Sequence, residues 1–250
     1  MKEKRCQEGR IAMRDRKEME TLKEFRFRTQ SFNQNSLPSE GMETNPGLPK
    51  KVNQEGCFLE YRGNTVVFVL PREIKEKIFL FQEKLYSLCR EILAEPLEAD
   101  TFHLTLHDLA SGPPSGSLEH RIRETRIRAA EKTAGLSRAG ETIRLRSTFL
   151  FNMVNTSMVL GFEPEEEESC QRLMRYYEAF QETVRLSYPL TPHVTVAYFR
   201  PGRISGEQIG RLQEAVDFVK AREQLKLELT GAMLEYQEFS DMNHYWRGCR

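Results

Sequence analysis

The 250-residue chain is long enough for one large domain or two small ones with their own cores. Its 37 basic and 37 acidic side chains balance, which excludes a strong overall attraction to polyanions, so any phosphate recognition has to be local. The five cysteines form no Cys-x-x-Cys pair, and we find neither a secretory signal nor a run of 18 apolar residues. We therefore expect a cytoplasmic protein with reduced thiols and no membrane span.

Residues 1–56 differ from the rest of the sequence. They are rich in charges and contain the turn-rich stretches 36–41 and 45–49. Residues 15–27 predict only a marginal helix, since they offer little apolar surface to bury. We interpret 1–56 as a flexible N-terminal extension and 57–250 as the folded domain. A basic tail that binds nucleic acid is the alternative for the extension.

From residue 64 onward, strands and helices alternate regularly. In the first half the patterns predict a strand at 65–70, an amphipathic helix at 71–92, a strand around His103, a loop at 111–116, an Arg-rich helix at 118–131 and a strand at 142–151. In the second half they predict a strand at 154–162, a helix at 163–184, a strand from His193 to 199, a helix at 205–219 that begins with a capping box, strands at 225–229 and 232–236, and a possible last strand at 243–246.

The two halves repeat the same order of elements. Thirty-six residues separate Val67 from His103, and the same number separates Ser157 from His193. The repeat predicts an α+β fold with two pseudo-symmetric lobes, roughly 64–151 and 152–240, with possible exchange of elements between them. We expect each lobe to be an antiparallel sheet covered by helices on its outer face, with a central groove between the lobes.

The pattern apolar–His–apolar–Thr–apolar occurs once in each half, at 102–106 and at 192–196. Because successive side chains of a strand point to opposite faces, His103 shares a face with Thr105, and His193 shares one with Thr195. Only about 0.3 His-x-Thr tripeptides are expected by chance from the composition, so two copies in strand context indicate function. Two strands that each carry a structurally satisfied histidine are the alternative.

Two imidazoles and two hydroxyl groups suit the hydrolysis of a phosphodiester without a metal. With ordinary pKa values near 6.5, one imidazole can be neutral while the other is protonated at neutral pH. The neutral ring takes a proton from water, and the charged ring gives one to the leaving oxygen. Each threonine hydroxyl can donate to a non-bridging phosphate oxygen. A strained 2′,3′-cyclic phosphate is therefore a suitable substrate.

The two motifs, 90 residues apart in a duplicated arrangement, resemble the paired motifs of the 2H phosphoesterase superfamily. This group includes RNA 2′,3′-cyclic phosphodiesterases and bacterial RNA 2′-5′ ligase-like proteins, and the resemblance covers about residues 64–236. It implies that His103 and His193 are the general acid and base, with His193 favoured as the base. It also implies that Thr105 and Thr195 bind phosphate, that no metal or cofactor takes part, and that the substrate is a nucleotide or an RNA end. We expect a monomer.

Three other interpretations stay open. A zinc site would need His107 on the same strand face as His103, together with His193, whereas the simpler expectation places His107 in solvent at the strand end. The groove could also bind nucleotide or RNA without catalysis, or serve a small nucleotide rather than RNA. Further recognition residues are candidates only: Arg144 and Arg146 for phosphate, and Phe199 for stacking on a base.

Overall fold

The computed structural model of the protein describes residues 19–34 and 36–248. In that part of the chain the five α-helices are α1 (Leu22–Gln34), α2 (Arg72–Cys89), α3 (Gly116–Leu136), α4 (Glu167–Gln181) and α5 (Gly206–Lys220). The ten strands there are β1 (Gly41–Glu43), β2 (Arg62–Val69), β3 (His103–Gly112), β4 (Thr142–Met153), β5 (Ser157–Pro164), β6 (His193–Tyr198), β7 (Arg203–Ser205), β8 (Lys226–Thr230), β9 (Leu234–Phe239) and β10 (Tyr245–Arg247).

Two antiparallel sheets form the framework of the described chain. The first has the strand order β10-β9-β2-β3, and the second has the order β6-β5-β4-β8. A small ribbon of β1 and β7 lies apart from them. The strands that begin with His103 and His193 are the edge strands β3 and β6, and these two strands contact each other. The predicted α+β fold with two antiparallel sheets is confirmed, and the repeat places both histidines where the sheets meet.

The two sheets exchange strands between the halves of the sequence. Strand β4 belongs to the first half but pairs with β5 and β8 in the second sheet. Strand β9 belongs to the second half but pairs with β2 in the first sheet. Each sheet is therefore completed by a strand from the other half of the chain.

The helices cover the sheets through apolar faces that the sequence displays clearly. Helix α2 packs against α5 and β6, and α3 packs against β2, β3 and β9. The predicted capping box opens α5, because the Ser205 hydroxyl accepts from the Gln208 N–H while the Gln208 side chain accepts from the Ser205 N–H. In the ranges that the structure covers, no helix has the length and hydrophobicity needed to cross a membrane. The buried apolar residues of α2 are Ile74, Ile78, Phe81 and Leu85.

The N-terminal segment differs from the flexible extension expected for 1–56, at least from residue 19 onward. Phe25 of α1 is fully buried, and the Arg26 guanidinium donates to the main-chain oxygen of Pro164 over 2.7 Å. Farther along, Leu48 and Val52 are also core residues. These apolar residues are too widely spaced to produce a helical or strand periodicity, so the sequence pattern did not reveal them. Residues 1–18 lie outside the described part of the chain.

Candidate active site

A cavity of about 820 Å³ lies where β3 and β6 meet. His103 and Thr105 from β3 and His193 and Thr195 from β6 all line it, and each of the four side chains is half-buried. Such a concave site with a few convergent polar groups is typical of a small-molecule or nucleotide site. The structure therefore brings together the four residues that the sequence singled out.

The two histidines are held in the same way. His103 Nδ1 lies 2.7 Å from the main-chain oxygen of Thr101, and His193 Nδ1 lies 2.7 Å from that of Thr191. A carbonyl oxygen only accepts hydrogen bonds, so Nδ1 of each ring must carry the proton and donate it. In the neutral rings Nε2 is then unprotonated, on the opposite side of the ring. Both histidines are thus oriented to take up or release a proton at Nε2.

The surroundings lower the pKa of both rings. Burial lowers the pKa of His103 to about 4, against the hydrogen bond to Thr101, and the positive charges of His193 and Lys75 lower it further. Burial likewise lowers the pKa of His193, while its hydrogen bond to Thr191 and the charge of Asp108 oppose the shift. Both rings are therefore neutral at pH 7 in the free protein, and an anion bound between them would favour their protonated forms.

A β-bulge corrects the expected position of His107. The register of β2 against β3 shifts so that Val67 pairs with Thr105 but Val66 pairs with His107, which leaves Leu106 without a partner. Alternation breaks at this extra residue. His107 is only 1% exposed and lies against the rings of Tyr177 and Phe180. The bulge ends the alternation that placed His107 on the face of His103, although His107 still contributes to the wall of the same cavity, and the alternative of a solvent-exposed side chain is wrong.

Asp108 takes the place that was expected for His107. It is exposed and lines the cavity beside Thr105, and its Oδ2 accepts a 2.8 Å hydrogen bond from the Tyr188 hydroxyl. Among the described residues, no group of three His, Cys, Asp or Glu side chains has the geometry of a metal site. The zinc alternative thus lacks its third ligand there.

Strand β6 has a bulge at the equivalent position. Met158 pairs with Ala197 and Val159 pairs with Thr195, so Val196 is the extra residue. Tyr198 consequently lines the cavity, whereas Phe199 is fully buried in the core. The suggestion that Phe199 stacks on a base is wrong, because the bulge at Val196 breaks the alternation on which it depended.

The candidate phosphate-binding arginines do not reach the cavity. Arg144 forms ion pairs with Glu166 and Glu228, at 3.1 and 3.3 Å. Two nitrogens of the Arg146 guanidinium donate to one oxygen, Oε1, of the buried Glu163 carboxylate. Neither arginine lines the cavity. Both are residues of β4 and form ion pairs at the second sheet.

Two other side chains line the cavity that sequence reasoning missed. Lys51 belongs to the segment interpreted as an extension, and its Nζ lies 4.9 Å from the ring centroid of Tyr61 and 5.6 Å from that of Tyr198. Tyr245 belongs to the C-terminal strand β10, and its ring centroid lies 4.9 Å from that of His103. Neither residue stands in a recognisable motif, so the sequence carried no signal for them.

The comparisons with known proteins give likenesses of structure. No family model and no curated protein matches the chain. The structure is similar to a conserved Agrobacterium tumefaciens protein of unknown function, ATU0111, with a TM-score of 0.64 and 17% identity over 87% of this chain and 97% of that one. Lower TM-scores of 0.46, each at 16% identity, relate it to TT0787 of Thermus thermophilus, over 74% of this chain and 94% of that one, and to E. coli LigT complexed with 3′-AMP, over 76% and 97%.

The likeness to the Agrobacterium protein shows a shared fold over most of both chains. On this fold the two His-x-Thr strands lie side by side, at equivalent positions and with equivalent bulges. The comparisons show the fold alone, so the resemblance of the chain to the 2H phosphoesterase superfamily rests on the two His-x-Thr motifs.

Proposed function

We propose that the protein is a metal-independent phosphodiesterase that opens a cyclic phosphate, such as a 2′,3′-cyclic nucleotide or RNA end, or cleaves a 2′-5′-type linkage. One observation carries the proposal: two histidines on adjacent strands are fixed by identical Nδ1 hydrogen bonds, and each precedes a cavity-lining threonine by two residues. This arrangement supplies an acid and a base that both act through Nε2.

The proton transfers balance in one hydrolytic step. One Nε2 takes a proton from water as the water oxygen bonds to phosphorus. The other ring, protonated on Nε2, gives its proton to the ribose oxygen as the P–O bond breaks, so one water is added and a phosphomonoester is released. Thr105 and Thr195 donate hydrogen bonds to the non-bridging oxygens, where negative charge develops. The substrate phosphate itself raises the pKa of the ring that must be protonated.

The charges around the rings favour His103 as the base and His193 as the acid. Lys75 opposes a charge on His103, and protonated His193 opposes it further, while Asp108 favours a charge on both rings. In this proposal His193 is the ring that is protonated before the reaction begins. The assignment differs from the one that the resemblance implies, which makes His193 the base.

Turnover of the four nucleoside 2′,3′-cyclic monophosphates in EDTA tests the activity. His103→Ala and His193→Ala should each lower kcat/KM by about 10²–10⁴, the usual contribution of general acid–base catalysis. His120→Ala is the matched control, because His120 is exposed on α3 and pairs with Glu124 away from the cavity. Activity that persists in both cavity variants would contradict the mechanism. Nucleotide binding without turnover of any cyclic or 2′-5′-linked substrate would favour a binding module.

A substrate that needs no acid separates the two roles. In an aryl phosphodiester the 4-nitrophenolate group leaves without needing a proton, so loss of the general acid should lower the rate only slightly. We expect His193→Ala to recover most of its activity on this substrate relative to wild type, and His103→Ala to remain impaired. The reverse pattern would restore His193 as the base, and equal impairment on both substrates would refute a division into acid and base.

A further inference from the structure

Lys51 is a positive charge inside the cavity that the proposed reaction does not use. It is half-buried and lines the cavity. Tyr61 and Tyr198 present their rings to its Nζ, an arrangement that stabilises a cation. In the part of the chain that the structure describes, no carboxylate lies within ion-pairing distance of Lys51, and the acidic side chain that influences its pKa is Asp108.

Lys51 remains charged in this setting. Burial acts to lower its pKa, but the tyrosinates that Tyr198 and Tyr61 form at high pH, together with Asp108, raise that pKa above its ordinary value, so the ammonium is charged at neutral pH. A charge that is half-buried without an anionic partner is costly, because it has lost part of its hydration. An anion in the cavity would repay that cost, and a lysine ammonium is a common partner for phosphate.

The backbone holds Lys51 in place. Its N–H donates to the main-chain oxygen of Leu48 and its C=O accepts from the N–H of Leu59, each over 2.8 Å. The next residue, Val52, is fully buried and forms an isolated bridge with Phe58. The lysine is therefore positioned before any ligand binds, which lowers the entropy cost of using it in recognition.

Lys51 lies against a different part of β6 from the His-x-Thr motif. The lysine lies over the ring of Tyr198, which follows the bulge at Val196 in β6, whereas the His193–Thr195 pair precedes that bulge. The charge thus lies beyond the threonine along the strand, at a place where a second anionic group of the ligand can reach it.

We infer that Lys51 binds a second anionic group of the substrate, so that the natural substrate is a nucleotide bearing another phosphate, either a 5′-phosphate or the next phosphodiester of an oligonucleotide. The inference rests on the proposed function for the identity of the first phosphate. It makes Lys51 a specificity residue rather than a catalytic one.

Binding of product-like nucleotides tests this independently of turnover. We would measure by calorimetry the affinities of adenosine 3′-monophosphate and adenosine 3′,5′-bisphosphate, and of the matching 2′ pair. Wild type should prefer the bisphosphates by about tenfold, as expected for one partly screened charge-assisted contact. In Lys51→Met the preference should fall to near one, and Lys51→Arg should retain most of it. The dinucleotide ApAp, in which a diester replaces the 5′-phosphate, distinguishes an oligonucleotide end from a 5′-phosphorylated nucleotide.

Lys50→Met is the matched control, since it removes the same charge from an exposed neighbour that does not line the cavity. It should leave the preference at the wild-type value. A preference that survives in Lys51→Met, or that is absent in wild type, would overturn the role of Lys51 while leaving hydrolysis of cyclic nucleotides intact. If the wild type shows the preference but no turnover, and Lys51→Met loses the preference, the role of Lys51 is retained and the proposed reaction is refuted.

Discussion

Replacing Asp108 with Asn tests the electrostatic link between the two sides of the cavity. The carboxylate favours the protonated form of His103 and of His193, and so raises the pKa of each. Removing its charge must lower both pKa values. Asparagine retains the shape of the side chain and an oxygen that can accept the hydrogen bond from Tyr188, so the change is mainly one of charge.

The expected decrease is about 0.5 pKa unit. Asp108 is exposed, and it ranks behind burial and the main-chain hydrogen bond among the influences on both rings. An exposed charge interacts with a nearby group by about 0.2–1 kcal/mol because water screens it. With about 1.36 kcal/mol for each pKa unit, this gives a shift of a few tenths to about 0.7 of a unit.

NMR titration of the imidazole signals measures the shift without any substrate. The chain has five histidines, so the signals can be assigned from single His→Asn variants. His244 is the internal control, because its hydrogen bond to Asp241 raises its pKa and neither of these two residues lines the cavity. Asp241→Asn should lower the pKa of His244 alone. If Asp108→Asn raises the pKa of His103 and His193, or changes them no more than Asp241→Asn does, the placement of Asp108 beside the rings is refuted.

Three further predictions concern stability. Phe25→Ala should lower the free energy of unfolding by about 3 kcal/mol or release α1 locally, because the ring is fully buried. Phe27 is 75% exposed, so Phe27→Ala should change the free energy of unfolding little, as measured by chemical denaturation or hydrogen exchange. Equal effects of the Phe25 and Phe27 substitutions would contradict the packing of α1. Gly161→Ala should destabilise by about 1–3 kcal/mol in urea, since its Cβ would lie 2.5 Å from Thr148 Oγ1; a neutral effect would contradict that close approach. The pKa of His103 is lower in the folded than in the unfolded chain, so the free energy of unfolding should fall as the pH decreases from 6.5 to about 4. Urea titrations at several pH values should show a smaller pH dependence for His103→Gln. An unchanged dependence would contradict the depressed pKa.

The elements with a strong local pattern could be predicted from the sequence. Helix α2 follows its apolar periodicity, and α5 begins at the predicted capping box of Ser205. The motif residues His103 and His193 begin their strands and meet in one cavity, because the repeat and the alternation of side chains determine both. The local sequence pattern was sufficient to predict an element wherever its regular geometry is not interrupted.

The bulges and the N-terminal contacts could not be predicted. Leu106 and Val196 are ordinary strand residues in the sequence, and they become bulges because of their register against β2 and β5. Register depends on pairing between distant parts of the chain. The same applies to Phe25 and Lys51, whose partners lie far away in sequence, so no local period reveals their burial or position.

The exchange of strands has a consequence for the synthesis of the chain. In the first sheet Val66 pairs with Tyr236, so β2 cannot acquire its β9 neighbour until most of the protein has left the ribosome. At about 5–20 residues per second, the unpaired edge of β2 stays open for roughly ten seconds or more. Such distant pairing also predicts slow folding, on the millisecond-to-second scale or beyond. The nascent first half, with apolar strands that lack neighbours, is the stage at which this protein is most prone to aggregate and most in need of chaperones.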